Sequence, residues 1–268
     1  MRQFTLLFVF IVAAAFAPVQ AAKPQAAEQI VVAAYDFPPY FSAYSDTHLV
    51  GDLLEALNSR QSDYFFVLED IPSKARFRAL SEAGCCNMIL FESPAWGWPQ
   101  QFPGIRAGRV LVQGAERFVA LQKEDRGQSF FAQPGLRFGG LTGYHYPFLN
   151  NQTDQAVLED HYNVYLSLSH RVNIKMLLNG RLDVVMLHDE YLHQLRHEPW
   201  FDDLLLKREP YDTYELRTLV NPAKGFTLEE WQQVLQPLIE DGSLANLLAD
   251  YDLPWPPARV NVLIDTKT

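Results

Sequence analysis

The chain has 268 residues, is 48% hydrophobic and carries a formal net charge of −10 at pH 7. That balance argues against nucleic acid or an anionic membrane surface as a partner, since both attract basic proteins. The length allows one large domain or two modest ones, and the core must hold the fold unaided. The two cysteines, Cys85 and Cys86, are sequence neighbours, so a bond between them would join no distant segments.

Residues 1–22 read as a secretory leader: Arg2, then a long apolar run, then small residues suited to cleavage near Ala21 or Ala22. No second apolar run is long enough to span a bilayer, so an exported, soluble protein is expected. QIVVAAY (29–35) is strand-like and is stopped by the prolines of DFPPY. VGDLLEALNSR (50–60) has helical apolar spacing at Val50, Leu53, Leu54 and Leu57. YFFVLED (64–70) reads as a strand, ARFRALSEAG (75–84) as a helix stopped by Gly84, and CNMILF (86–91) as a buried strand. Alternating strands and helices imply a parallel, doubly wound α/β sheet. The scheme repeats, with a strand and glycine turn in PGLRFGGLTGYHYPF (134–148) followed by a helix start, a helix at 171–180 and a strand at 181–187. Both ALSEAGCCNMILFES and KMLLNGRLDVVMLHD run helix, glycine, strand, and they place Glu92 and His188 at equivalent strand ends. Thr227 and Glu230 form a capping-box pattern at the start of a helix that Pro237 should kink, and a short last helix precedes a tail with no clear order.

The order of VVAAYDFPPYFS, GDLLEALN, RFRALSEAGCCNMILF, LRFGGLTGYHY, LLNGRLDVVML and LQPLIEDGSLANLLADYDL resembles the family 3 extracellular solute-binding proteins, periplasmic receptors of amino-acid importers. The resemblance implies a type II periplasmic-binding-protein fold, with two α/β lobes, each a mostly parallel doubly wound sheet. Lobe 1 would comprise residues 27–117 and 219–268 and lobe 2 residues 118–218, joined by crossings at 116–123 and 215–221. A small-molecule ligand would lie between the lobes at the carboxyl ends of the strands, and a hinge would close on it. The implied partner is an importer permease or a sensor in the inner membrane, and the implied state is a monomer.

By the same likeness Phe37 would pack on the ligand, although Phe37 and Tyr40 suit a core equally well. Thr142, Gly143, Tyr144 and His145 would open a helix whose N–H groups favour an anionic ligand group. After the 181–187 strand, His188 stands where the family often has a carboxylate, and Asp189 follows one residue late as either an ammonium partner or a helix cap. The departure from the family is ESPAWGWP (92–99), where a hydroxyl residue and a carboxylate-clamping arginine are usual. Glu92 and Ser93 with Trp96 and Trp98 read instead as a remodelled wall suited to a cation or flat ring, or as a packed lid. Arg76 and Arg78 offer a substitute anion contact or are simply exposed helix residues. The residues call for no cofactor and no catalytic set. His193 and His197 are four apart, but LHQLRHEPW reads as a surface turn rather than a metal site. The leading reading is therefore a receptor for an amino acid or related amine. The alternatives are a dehydratase like the one in this family that acts on cyclohexadienyl acids, using Glu92 with His145 or His188, and a sensory protein without transport.

Overall fold

The structure, a computed structural model, describes residues 26–262, so the leader expected at 1–22 and the last six residues lie outside it. In chain order the elements are β1 (Glu28–Ala34), α1 (Leu49–Arg60), β2 (Tyr64–Asp70), α2 (Arg76–Leu80), β3 (Met88–Glu92), α3 (Trp98–Gln101) and β4 (Arg106–Leu121). They continue with β5 (Phe138–Leu141), α4 (Gln155–Tyr162), β6 (Val164–Ser167), α5 (His170–Leu178), β7 (Val184–His188) and α6 (Asp189–Leu195). The chain then returns through β8 (Leu204–Leu206), β9 (Asp212–Val220), α7 (Leu228–Glu240) and α8 (Ser243–Ala249).

One sheet runs through the molecule in the order β2-β1-β3-β9-β4-β7-β5-β6, with β8 on β4. At one end β2, β1 and β3 are mutually parallel, and at the other β7, β5 and β6 are. Between them β4 and β9 pair antiparallel from Arg106–Val220 to Glu116–Asp212 and connect the two ends. The cores follow this division. One cluster draws on residues 30–112 and 214–260, and two smaller ones on residues 118–206. β3 and β7 are buried along their whole length, as strands covered on both faces must be, which is why their sequences are continuous apolar runs.

Local chemistry fixes the helix ends. His48 caps α1 by accepting from the Gly51 amide, and Arg60 lies in its last turn, where the helix dipole favours a cation. The Thr227–Glu230 capping box is formed, and α7 continues past Pro237 to Glu240. Two expectations are corrected. No α-helix starts at Thr142–His145, because Pro147 opens a 3-10 turn and Asn150 and Asn151 take left-handed backbone. The helix expected over 75–84 shortens to α2, and the loop after it leads to a bond between Cys85 and Cys86. The tail, whose order the sequence leaves open, packs on the fold through residue 262: Arg259 bridges to Gln113 and Val260 is buried.

Candidate functional site

The carboxyl ends of β1 and β3 in one half face those of β5 and β7 in the other across a seam. Tyr35, Asp36 and Phe37 follow β1, Glu92 closes β3, Thr142 and Gly143 follow β5, and His188 closes β7. Open α/β sheets place their ligands at such strand ends. Here the protein's own side chains occupy the seam. Phe37 is 3% exposed and meets Tyr40, Trp96, Tyr144 and His188 ring to ring, with centroids 4.7 Å from His188 and 6.0 Å from Tyr144. Phe37 and Tyr40 are thus core residues of the seam.

Arg76 is the centre of the polar part. It is 2% exposed, which corrects the exposed alternative; Arg78 is the exposed one of the pair. Its Nη1 donates to the Gly143 carbonyl at 2.5 Å and to Ser73 O at 3.1 Å, and Nη2 donates to His145 Nδ1 at 2.9 Å. Its Nε lies 3.3 Å from Glu92 Oε1 as an ion pair but without hydrogen-bond geometry. Glu92 is fully buried and accepts from the Tyr35 hydroxyl at 2.7 Å and from Trp98 Nε1 at 2.8 Å. Burial raises its carboxyl, and Arg76 opposes that rise. Arg76 is thus the cation that pairs with Glu92. Trp98 is fully buried against Phe77 and Phe102, so it belongs to the packed core, whereas Trp96 is half-buried between Phe37 and Tyr214. Ser93 is buried in the turn that follows β3.

From the other half, Tyr144 donates to the Asp36 carbonyl at 3.0 Å, and the Thr142 carbonyl accepts from Ser73 Oγ at 2.5 Å. A Cβ on Gly143, whose φ is +85°, would come within 2.7 Å of the Lys74 amide nitrogen, so only glycine permits this approach of the two halves. His145 is pushed down to about 4 by burial and by Arg76, which keeps Nδ1 free to accept. His188 is fully buried and held at about 4, with Nε2 against the Pro38 carbonyl and Nδ1 unpartnered. Asp189 neither caps α6 nor faces the seam: it is the first helical residue and grips Arg117 through two bonds of 2.5 and 2.6 Å. Arg117 also donates to the Lys207 and Arg208 carbonyls, tying β4 to the return chain.

Several seam residues escaped sequence reasoning. Asp36 is the first residue of DFPPY, and burial pushes its carboxyl up to about 6. Glu190 accepts from the Tyr40 and Tyr214 hydroxyls, and burial pushes it up to about 8. His170 is 2% exposed with both ring nitrogens unpartnered, its centroid 4.9 Å from that of His188. The pairing of His170 with His188 has no local sequence signal, because 18 positions of helix and strand separate them. Two cavities straddle the seam on either side of the 36–48 loop. One of about 350 Å³ is lined by Asp36, Tyr44, Asp70, Thr142 and Leu168 among others, and one of about 290 Å³ by Asp36, His48, Arg171 and Tyr191. Glu92 and His145 share Arg76 between them, and no group of three or more metal-ligating side chains occurs among the described residues.

No protein-family model and no curated protein matches the chain. Solved structures do. An ancestral arginine-binding protein bound to arginine superposes with a TM-score of 0.65 at 14% identity, covering 85% of this chain and 99% of that one. The GluR0 ligand-binding core from Nostoc punctiforme in complex with L-glutamate gives 0.63 at 12%, over 83% and 98%. The substrate-binding protein of an amino acid ABC transporter gives 0.61 at 15%, over 83% and 98%. The chain thus has the two-lobe α/β fold of periplasmic-binding proteins. At these identities the likeness establishes the fold and nothing narrower.

Proposed function

We propose that the protein is an exported solute-binding receptor whose lobes, 27–117 with 219–268 and 118–218, close on a small polar solute such as an amino acid or related amine. Delivery to an importer permease or a sensor in the inner membrane follows from that reading. The observation that carries it is the chemistry of the seam. Besides the ring packing of Phe37 on Tyr144 and His188, the halves meet through Arg76–Gly143, Arg76–His145, Ser73–Thr142, Tyr144–Asp36 and His188–Pro38, polar contacts that water replaces on opening. Polar interfaces within a chain are the ones that move. Two cavities border this seam, and strands β4 and β9 offer the connection about which it opens. The structural neighbours that hold glutamate or arginine in the same fold support the solute class.

A thermal-shift screen of the leader-free protein against amino acids, amines, small organic acids and sugars tests this. A solute that binds only the folded state raises the melting temperature by several degrees at about 100 times its Kd. A saturable shift with the solute recovered intact supports the receptor. Silence across the panel contradicts it, and consumption of the solute, followed by mass spectrometry, replaces it with an enzyme.

A further inference from the structure

The larger seam cavity, on the Leu168 side, points to a ligand class. Its walls include Asp36 and Asp70, which stand at the carboxyl ends of the neighbouring parallel strands β1 and β2, where Ala34 pairs with Asp70. Asp36 accepts a hydrogen bond from Ser42 at 2.8 Å. Among the described residues neither aspartate is in an ion pair, and nor is Lys74, the one cation on the wall. Burial raises the Asp36 carboxyl, with Asp70 adding to the rise, and Asp70 is itself raised although it stands exposed at the cavity rim. Apart from Ser73 and Thr142, the rest of the wall is apolar or aromatic, with Tyr144 and Leu168 from one half and Tyr44 from the other. Leu168 is 79% exposed and Tyr44 63% exposed. Single exposed apolar residues need no explanation, but these two flank one cavity mouth from opposite halves.

We propose that this cavity takes a small organic ammonium compound with an apolar body, its charged end between Asp36 and Asp70 and its body against Tyr44, Tyr144 and Leu168. Two carboxylates against one lysine leave room for one positive charge and repel a carboxylate ligand. Aromatic faces add attraction for an ammonium, and the acidic chain as a whole draws cations toward it. Because both halves supply wall, the ligand bridges the seam. The assignment rests on the receptor reading and narrows its substrate class.

The test is titration calorimetry at pH 7 with two pairs matched in shape and opposite in charge: 2-phenylethylamine against phenylacetate, and butylamine against butyrate. The amines bind and the acids do not. Asp70→Asn, at an exposed position that folding does not need, weakens amine binding by at least about tenfold, as does Asp36→Asn. Leu168→Ala weakens 2-phenylethylamine by about fivefold through lost apolar contact. Unchanged melting temperatures of the free Asp70→Asn and Leu168→Ala proteins separate lost binding from lost folding. Equal binding of amine and acid, or amine affinity untouched by both aspartate changes, overturns the assignment. Binding of some other solute but of neither amine overturns it while leaving the receptor standing, and no binding by any solute removes both.

Discussion

Arg76 ties the two halves together, since it neutralises Glu92 within one half and donates to Gly143 and His145 of the other. Removing one member of a buried charge pair strands its partner in a medium that solvates it poorly. Glu92→Gln keeps one oxygen to accept from Trp98, puts an NH2 against the Tyr35 hydroxyl, which must turn to accept, and leaves Arg76 without its counter-charge. We expect a loss of about 3 kcal/mol, read from the urea midpoint at an unchanged slope. Asp189→Asn does the same to Arg117 and should lower the midpoint comparably. An unchanged midpoint in either variant would show that water already solvates the pair. The role of Glu92 was not legible in FESPAWGWP, because a buried glutamate and a ligand-facing one have the same sequence. What separates them is an arginine 16 positions upstream, reached only through the fold.

At the scale of elements the sequence was a better guide. β2 spans 64–70 as its pattern predicts, α1 and α5 fall within a residue or two, and the Thr227–Glu230 box opens α7. These signals are local: apolar periodicity and caps act within a few residues. The helix expected at Thr142–His145 fails because Pro147 and two left-handed asparagines end the segment in a turn, a competition that the glycine signal alone does not resolve. β4 and α6 bring Glu116 and Glu190 inside, where burial pushes both up to about 8. The folded protein then holds protons that the unfolded chain, titrating near 4.5, has released, so stability is lost as pH rises toward about 8. His145 and His188, held near 4 against an ordinary 6.5, act in the opposite sense: the folded state refuses protons that the unfolded chain takes up, and stability is lost as pH falls below 6.5. The two trends oppose each other below pH 6.5, and only the acids operate above it. Calorimetric melting temperatures should therefore fall from pH 6.5 to 8, with a shallower fall in Glu190→Gln. A rise over that range would contradict the buried, neutral carboxyls.

On the scale of the whole molecule, the sheet that runs from β2 to β6 makes the two halves one continuous body in hydrogen bonds and two in packing, since each half has its own core. Between them lies a seam of ring packing and polar contacts with one position that only glycine fits. Gly143→Ala pushes a Cβ against the Lys74 backbone and forces a left-handed φ on a residue that resists it. The halves should separate, and small-angle scattering should show a larger radius of gyration while each core still melts cooperatively. The order of landmarks along the chain was enough to reveal the two-part plan. The closed seam was not, because closure depends on residues from both halves meeting across distances that no local pattern encodes.

The most direct test of closure on a solute is energy transfer between dyes on Glu55→Cys in α1 and Gln133→Cys in the other half, both exposed positions, titrated with the solute that gives the largest thermal shift. The account predicts a saturable rise in transfer at the same midpoint as binding measured by calorimetry. Binding that saturates with no change in transfer would show that the halves do not move on their ligand, and would contradict it.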